Sequence, residues 1–232
     1  MKRIDNIISM QTEYSRKDAK KLILQKRVFV NGQLVLKPDT KIDIEKDTIS
    51  IDGNELNIKE NVYLILNKPI GYISAVEDKN MPTVLDLIDK KYLHRNIFPA
   101  GRLDKDTTGL MIITDDGKFA HDILSPKKHV KKTYEVTLDI PTTEDMVIGF
   151  KEGIILNDGK CKSAIMEITG TNTARVTLTE GRYHQIKRMF GCYGAKVIKL
   201  HRISMGNLVL PNDLQEGESR ELTKKELEKI QS

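Results

Sequence analysis

One stretch of the chain reads Ala100-Gly101-Arg102-Leu103-Asp104-Lys105-Asp106-Thr107-Thr108-Gly109-Leu110. It places four charged residues between two glycines and leads into the apolar run Leu110–Thr114, which predicts a buried strand. Glycines permit tight turns and a close approach of a substrate, and loops beside rigid strands are common places for catalysis. Composition alone favours a plainer interpretation, an ordinary turn in which Asp104 pairs with Arg102 or Lys105, so the surrounding sequence must distinguish the two.

The sequence around this stretch predicts more strands than helices. Apolar or alternating runs predict strands at Val62–Leu66, Leu110–Thr114, Lys131–Asp139, Ala164–Ile168, Arg175–Leu178 and Lys196–Arg202. Capping patterns and helical periodicity predict helices over Thr83–Tyr92, Thr142–Phe150, His184–Phe190 and Thr223–Ile230. The predicted fold class is therefore α/β (α+β), with a mixed, mainly antiparallel sheet and flanking helices.

A separate small module is predicted before this sheet. Ser15 and Asp18 form a capping-box pattern that opens a helix through about Gln25. Short strands at Val28–Val30 and Gln33–Val35 flank the hairpin turn Asn31-Gly32, and a further strand is predicted at Thr48–Ile51. The polar stretch 54–61 is interpreted as a linker. We therefore predict two domains, residues 1–59 and residues 60–232.

Charge and cysteine content limit the classes of function. The net charge is +5, and residues 1–59 hold 12 Lys and Arg against 9 Asp and Glu. This excess suits a polyanionic partner, although charge alone equally fits a solvated basic surface. Two isolated cysteines, Cys161 and Cys192, form neither a disulfide framework nor a zinc site, and the histidines lack metal-ligand spacing. We expect no metal, no membrane segment and a reducing cytoplasm.

The N-terminal module resembles the S4 RNA-binding domain. The resemblance lies in Arg3-Ile4-Asp5, in Ser15–Ile23, in Arg27-Val28-x-Val30-Asn31-Gly32 and in the closing Asp47–Gly53. Basic side chains near a helix N-terminus would lie against RNA phosphates and recognise backbone shape rather than bases. The residues expected to bind RNA are Arg3, Arg16, Lys17, Lys20, Lys21 and Arg27.

The larger domain resembles the RsuA-type pseudouridine synthases, which modify small-subunit ribosomal RNA. Four motifs occur in the family's order: Asn67-Lys68-Pro69-x-Gly71-Tyr72, Gly101-Arg102-Leu103-Asp104, Lys132-Thr133-Tyr134, and Glu180–Met189. The resemblance implies that a uracil is detached from its ribose, turned and rejoined through C5. Because nothing is added or lost, no cofactor is implied, and the sequence has no P-loop or dinucleotide fingerprint.

The resemblance also implies a nucleophile and a cationic partner. Asp104 is the aspartate of Gly-Arg-Leu-Asp, the family's nucleophile. Lys187 stands where related enzymes place a basic partner of that aspartate, although many relatives carry Arg there. A neighbouring cation favours an ionised carboxylate, and Lys supplies the charge without the bidentate geometry of Arg.

Further roles are implied for side chains around these two. Tyr134 would stack on the uracil, and its phenol would help to move the C5 proton. Ile186 would pack against the other side of the base, and Arg102 would hold the site and fill the gap left by the flipped nucleotide. Lys68 would contact phosphate or support its loop. His184 is interpreted as structural, because the implied chemistry does not require it.

Each of these positions has a plainer interpretation, and three other functions compete. Tyr134 and Ile186 are also typical of sheet and core packing, and Lys68 and Lys187 of solvated surface. A 23S rRNA synthase of the same fold would differ only in its RNA target. A non-catalytic ribosome-assembly factor would also use an S4-like module. An RNA methyltransferase would need a glycine-rich cofactor loop, which Leu66–Gly71 is not. A monomer is expected, acting on 16S rRNA or an assembling small subunit.

Overall fold

The computed structural model describes residues 1–125 and 128–231, which form two compact units. The first unit comprises residues 1–62 and 89–97, and the second comprises residues 63–88 and 98–232. Within the described residues, no helix is both long enough and apolar enough to cross a membrane.

The first unit combines two helices with short strands. Its elements are β1 (Lys2–Arg3), α1 (Ile4–Gln11), α2 (Arg16–Leu24), β2 (Val28–Val30), β3 (Gln33–Leu34), β4 (Lys41–Ile42), β5 (Ile49–Ile51), β6 (Asn54–Glu55) and a 3-10 helix (Lys90–Tyr92). Strands β3, β2, β5 and β6 form one antiparallel sheet in that order, and β1 pairs with β4. Helix α1 was not predicted, because eight residues hold too few helical turns for a clear periodicity.

Local sequence explains the predicted elements of this unit. The Ser15 side chain accepts a hydrogen bond from the Asp18 backbone N–H, as expected of a helix N-cap. Asn31 and Gly32 have φ values of 51° and 77°, which is the left-handed pair that a two-residue hairpin requires. Buried residues of the helices and strands form the core: Ile4, Ile7, Ile8, Ala19, Leu22, Ile23, Val28, Val35, Ile42, Ile49 and Ile51.

Residues 54–61 are not simply a linker, so that prediction was wrong in part. Asn54 and Glu55 form β6 against β5, and Leu56 and Ile58 pack on the core of the first unit. The polar character of this stretch comes from its exposed positions, while its two apolar side chains pack against the core of the first unit.

Residues 89–97 also lie in the first unit. The Arg95 guanidinium donates to the backbone oxygens of Lys59 (3.2 Å) and Glu60 (2.8 Å), and His94 Nε2 lies 2.9 Å from the Met10 oxygen. These bonds explain why the helix predicted over Thr83–Tyr92 is not continuous. It is two 3-10 turns, Val84–Leu87 and Lys90–Tyr92, with Ile88 extended between them, because the two turns belong to different units.

The second unit is built on one large sheet. Its elements are β7 (Tyr63–Lys68), the 3-10 helix Val84–Leu87, β8 (Phe98–Pro99), β9 (Thr107–Thr114), α3 (Gly117–Leu124), β10 (Lys132–Leu138), α4 (Glu144–Glu152), β11 (Ile155–Leu156), β12 (Gly159–Lys160), β13 (Ile165–Gly170), β14 (Thr173–Leu178), α5 (Gln185–Gly191), β15 (Val197–Met205), β16 (Leu208–Val209), β17 (Ser219–Glu221) and α6 (Lys224–Gln231). The order in the sheet is β13-β14-β10-β15-β9-β7-β17, with β16 beside β15 and β8 beside β9.

This sheet confirms the predicted fold class. Strand β15 runs parallel to β9, and the other pairings of the sheet are antiparallel. At the parallel contact Arg202 lies beside Gly109, and a Cβ on Gly109 would come within 2.3 Å of the Arg202 backbone oxygen. Asp116 and Gly117 lie at the start of α3, where the Asp116 side chain caps the helix by accepting a hydrogen bond from the Phe119 N–H.

Candidate active site

Asp104 lies on the loop between β8 and β9, at the end of the central strands. The Ala100 N–H bonds to the Ile112 oxygen at 2.7 Å, and the Thr107 N–H closes a turn onto the Asp104 oxygen at 3.1 Å. Gly101 has φ 100°, and a Cβ there would meet Leu124 at 2.7 Å, so this turn requires glycine. The Asp104 side chain keeps 31% of its surface exposed. The loop thus holds a carboxylate that a substrate can reach.

The last residue of β7 and the segment that follows it hold this loop in place through hydrogen bonds. Lys68 is fully buried, and its Nζ donates to the backbone oxygens of Thr107 (2.8 Å) and Lys105 (3.4 Å). The Ser74 hydroxyl donates to the Leu103 oxygen (2.7 Å) and accepts from the Leu103 N–H (2.9 Å). Burial lowers the pKa of Lys68 to about 8, although Asp106 and Asp104 oppose the shift. These contacts fit loop support, one of the two roles expected of Lys68.

Lys187 joins two carboxylates of the loop. Its Nζ lies 3.0 Å from Asp104 Oδ2 and 2.5 Å from Asp106 Oδ1. Burial alone would lower the pKa of Lys187, but hydrogen bonds to Asp106 and Asp104 outweigh burial and raise it. The pKa of Asp106 is lowered, because the bond and charge of Lys187 outweigh burial. The site therefore contains a charged pair at the predicted nucleophile, with Asp106 as a second partner.

Helix α5 sets the direction of Lys187. Ile186, Met189 and Phe190 are buried along one side of the helix, and the Phe190 ring packs against Phe150 of α4 at 4.7 Å. Lys187 lies off this buried side and is 23% exposed. Ile186 is 4% exposed, so most of its surface is in contact with the protein core.

His184 also faces the predicted nucleophile. Its Nε2 lies 3.4 Å from Asp104 Oδ1, and its backbone adopts the left-handed conformation, with φ 46°, just before α5. Histidine is among the residues that tolerate this region best. The sequence alone favours a structural role for His184, whereas in the structure its ring lies 3.4 Å from the Asp104 carboxylate.

Tyr134 lies on β10, two strands away from β9, the strand that follows the Asp104 loop. Tyr134 of β10 pairs with Arg202 of β15, and Arg202 pairs with Gly109 of β9. Tyr134 and Arg202 are both buried, and directly paired residues project to the same face of a sheet. The Tyr134 hydroxyl has no hydrogen-bond partner among the described residues, and Arg202 Nε donates to the Leu110 oxygen at 2.7 Å. The Tyr134 ring is thus held by packing, while its hydroxyl remains available for a hydrogen bond.

Arg102 is exposed at the near end of the loop. It makes no ion pair or hydrogen bond with the described residues. An unpaired guanidinium two residues from Asp104 is free to contact a polyanion. The structure therefore brings together Asp104, Lys187 and Lys68, leaves Arg102 beside them in solvent, and places Tyr134 and Ile186 in the packed surroundings.

The basic residues of the first unit fall into two groups. Arg3 pairs with buried Asp5 at 2.9 Å, Arg16 approaches Asp5 at 3.8 Å, and Arg27 pairs with Asp52 at 2.5 Å. The lysines on α2 are exposed: Lys21 lies 3.6 Å from Asp18, and Lys17 and Lys20 make no ion pair with described residues. Among the predicted RNA-binding side chains, Lys17 and Lys20 can therefore contact a phosphate without first breaking a salt bridge.

Four further residues contact the Asp104 loop or its neighbours but were not predicted as site residues: Ser74, Asp106, His184 and Arg202. Asp106 had a usable signal, because a second carboxylate two residues from Asp104 must compete for any nearby cation. Ser74 and Arg202 had none, since their partners lie 29 and 92 residues away in sequence. No cluster of His, Cys, Asp and Glu in residues 1–125 and 128–231 is arranged to hold a metal ion.

Comparison with protein families gives two matches that together cover most of the chain. Residues 62–191 match the model described as RNA pseudouridylate synthase, and residues 2–49 match the S4 domain. The first match includes the Asp104 loop, Tyr134 and α5. The second contains the basic residues of the N-terminal unit.

Individual relatives are similar over nearly the full length. Ribosomal small subunit pseudouridine synthase A of Escherichia coli (strain K12) is 41% identical, over 98% of this chain and 99% of the relative. The uncharacterized RNA pseudouridine synthase YtzG of Bacillus subtilis (strain 168) is 38% identical, over 97% of this chain and 96% of the relative. A solved structure described as a pseudouridylate synthase is 40% identical, with a TM-score of 0.70 over 99% of this chain and 100% of that chain.

Proposed function

Because the chain belongs to the RNA pseudouridylate synthase family, we propose that it converts one uridine of 16S small-subunit ribosomal RNA to pseudouridine, with Asp104 as nucleophile. The observation that carries the assignment of Asp104 is its ion pair with Lys187 at 3.0 Å, on a loop fixed by Lys68 and Ser74. The target RNA follows from the names of relatives that span nearly all of this chain, such as the one from E. coli.

The reaction needs a carboxylate that is ionised, positioned and able to leave. The N1–C1′ bond of the uridine breaks, the uracil turns, and a C5–C1′ bond forms, while C5 loses a proton and N1 gains one. Asp104 attacks the sugar or the base and departs when the new bond has formed. Lys187, whose pKa is raised, stays protonated across the neutral range and holds the carboxylate as an anion. Since no atom is gained or lost overall, the reaction consumes no group donor, oxidant or reductant, and we propose that it uses neither a cofactor nor a metal.

The remaining site residues would receive and hold the flipped nucleotide. Tyr134 stacks on the uracil, and its unpaired hydroxyl is available for the movement of the C5 proton. Ile186 packs on the other side of the base. Arg102 fills the gap in the RNA, which its exposed and unpaired position permits. Lys68 acts by supporting the Asp104 loop rather than by touching RNA, because its side chain is fully buried.

RNA capture would be divided between the two parts of the chain. We assign RNA binding to domain 1–59, through Arg3, Arg16, Lys17, Lys20, Lys21 and Arg27, and catalysis to domain 60–232. Phosphate contacts position an RNA without specifying its sequence, so the catalytic domain would select the uridine. The protein would act as a cytoplasmic monomer on 16S rRNA or an assembling small subunit.

The test maps pseudouridine by carbodiimide labelling and reverse-transcription stops on unmodified 16S and 23S rRNA, each free and in assembling particles. We expect one new stop in 16S rRNA that Asp104→Asn abolishes while RNA binding persists. Asp122→Asn, an isosteric change on α3 of the same unit, is the matched control and should leave the stop unchanged. A stop found only in 23S rRNA would support the proposed mechanism but show that the target is 23S rather than 16S rRNA. Tight binding without any stop would favour a ribosome-assembly factor.

A further inference from the structure

Two aromatic rings form an exposed stack beside the Asp104 loop. The rings of Tyr183 and His184 lie 3.8 Å apart, centre to centre, and are 19° from parallel. Tyr183 is 73% exposed, whereas Tyr14, the other exposed tyrosine among the described residues, is 41% exposed. The outer face of an aromatic ring that already stacks on its neighbour is a surface on which a further planar group can stack.

This stack begins at the candidate nucleophile. His184 Nε2 lies 3.4 Å from Asp104 Oδ1, and Tyr183 covers the His184 ring. A target uridine that reaches Asp104 therefore brings the next nucleotide of its strand close to the two rings. The ring spacing of 3.8 Å is similar to the rise of about 3.4 Å between nucleotides of one strand, so a base can continue the stack.

The segment that carries the rings is held rigidly. Arg182 donates to the backbone oxygens of Gly159 (3.0 Å) and Lys160 (2.5 Å). The Gln185 side chain accepts from the Arg182 N–H at 3.0 Å and donates to Glu180 at 2.7 Å. These bonds fix both sides of the ring pair, so a bound base would not have to order the loop.

The backbone of Tyr183 is also held by a hydrogen bond. Arg188 of α5 donates to the Tyr183 backbone oxygen at 3.1 Å and also pairs with Asp158. The Tyr183 hydroxyl, by contrast, has no partner among the described residues. The Tyr183 backbone oxygen is thus held by Arg188, while the Tyr183 side chain is mostly exposed to solvent.

We propose that the Tyr183–His184 stack is a binding platform for the base of a nucleotide that flanks the target uridine. This rests on the proposed function in taking RNA as the substrate and Asp104 as the residue that the target uridine reaches. Unstacked bases of single-stranded or opened RNA are commonly held on aromatic rings, and such stacking accepts every base. The exposed cations Arg102 and Lys105 flank Asp104 and complement the phosphates of the same strand.

The first experiment uses Tyr183→Trp as a reporter, because the chain contains no tryptophan. The indole preserves a stacking surface, and its fluorescence should be quenched by oligouridylate but not by an abasic ribose-phosphate oligomer of the same length. Ile148→Trp, at an exposed position of α4, is the control and should respond to neither. Equal quenching by both oligomers, an equal response of the control, or no quenching at all would overturn the platform.

The second experiment measures kcat/KM for conversion of unmodified 16S rRNA. Tyr183→Ala and Tyr183→Leu should lower it roughly tenfold or more, the size of one lost base stack, while Tyr183→Phe stays within about twofold of the unmutated chain. Ile148→Ala should have no effect. If the Ala and Leu variants have the kcat/KM of the unmutated chain, the platform proposal is wrong, while the proposed synthase activity still holds. If Tyr183→Trp shows base-dependent quenching but the unmutated chain converts no RNA, the rings bind a base, while the proposed reaction is wrong.

Discussion

A single ammonium group controls the charge of the candidate site. Lys187 lies between Asp104 and Asp106 and donates a hydrogen bond to each carboxylate, so it offsets their negative charges more directly than the buried Lys68 does. Asp106 is the more exposed of the two, with 63% of its side chain exposed against 31% for Asp104, so solvent can stabilise its charge. The cation is therefore needed chiefly by the carboxylate that is proposed to react.

The residue-scale prediction follows from this charge balance. Lys187→Met should lower the single-turnover rate of conversion by about 100-fold, because the nucleophile loses its partner and its position. Lys187→Arg keeps the charge and should stay within about tenfold of the unmutated chain. RNA affinity, measured separately by filter binding, should change little in either variant. Equal rates for the Met variant and the unmutated chain would show that Asp104 does not depend on this ion pair.

Residues of the site were predictable where their chemistry is carried by a local motif. Asp104, Lys187 and Tyr134 each lie in a short motif whose order could be recognised, whereas Ser74 and Arg202 act through partners that only the fold brings near. His184 shows a different limit: its position before α5 was visible, but the left-handed backbone that turns its ring toward Asp104 was not. Local sequence does not specify a distance between side chains of different elements.

At the scale of elements, the parallel contact of β9 and β15 depends on one glycine. Gly109 has φ 101°, and a Cβ there would lie 2.3 Å from the Arg202 oxygen and 2.8 Å from the Arg202 nitrogen. Backbone atoms of a central strand cannot move aside as a flexible side chain can. This contact also sets the level of Tyr134 relative to the Asp104 loop, because Tyr134 pairs with Arg202.

We expect Gly109→Ala to destabilise the fold by roughly 3 kcal/mol or more, through both the clash and the unfavourable φ. Gly117→Ala is the matched control, because no atom lies within 4 Å of a Cβ at that helix position and its φ is ordinary. Urea unfolding followed by circular dichroism measures both variants. If Gly109→Ala unfolds at the same urea concentration as Gly117→Ala, the strands do not approach as closely as described.

A second element-scale prediction concerns the start of α6 and its dependence on pH. Glu226 accepts two hydrogen bonds from Arg220 (2.7 and 3.0 Å) and one from the Thr223 N–H (2.9 Å). The bond from Arg220 is the main reason why the pKa of Glu226 falls from 4.5 to about 2. Since the folded-state pKa is the lower one, this stabilisation is complete above about pH 4.5 and is lost as the pH falls toward 2.

Glu226→Gln should therefore lower the free energy of unfolding by about 1 kcal/mol at pH 7, a modest value because the pair is partly exposed to solvent. The difference from the unmutated chain should shrink below pH 4.5, because the glutamate is then protonated in the unfolded chain, while the folded protein keeps it charged until the pH approaches 2. Urea unfolding at several pH values measures this, with the exposed Glu228→Gln on the same helix as control. A difference that stays constant down to pH 3 would exclude the ion pair as its cause.

The helix predicted over Thr83–Tyr92 was wrong for a physical reason. The segment Thr83–Tyr92 has a helical capping pattern, and its capping box between Thr83 and Asp86 is present. The helix stops after one turn because Asp89–Ile97 packs with the first unit instead. Tertiary contacts outweigh local propensity when a segment this short is shared between two cores.

At the scale of the whole molecule, each of the two units has its own buried core. The cluster of the first unit is rich in isoleucine from α1, α2 and the small sheets, and the cluster of the second includes Ile65, Leu110, Ile112, Phe119 and Ile123. The order of two domains was predictable because a capped helix and hairpin precede a long series of strands. The inclusion of residues 89–97 in the first unit was not predictable. Arg95 bonds to backbone oxygens, and since every residue has one, the sequence does not mark them as partners.

The positive charge of the molecule should appear in the salt dependence of RNA binding. Each phosphate contact adds about 0.7–0.9 to the slope of log affinity against log salt. Lys17→Ala with Lys20→Ala removes two exposed cations of α2 and should reduce that slope by about 1.5, while kcat at saturating RNA is retained. Lys224→Ala with Lys225→Ala, on α6 of the other unit, carries the same charge change and should leave the slope unaltered. Equal slopes for both double variants would mean that net charge, rather than α2, attracts the RNA.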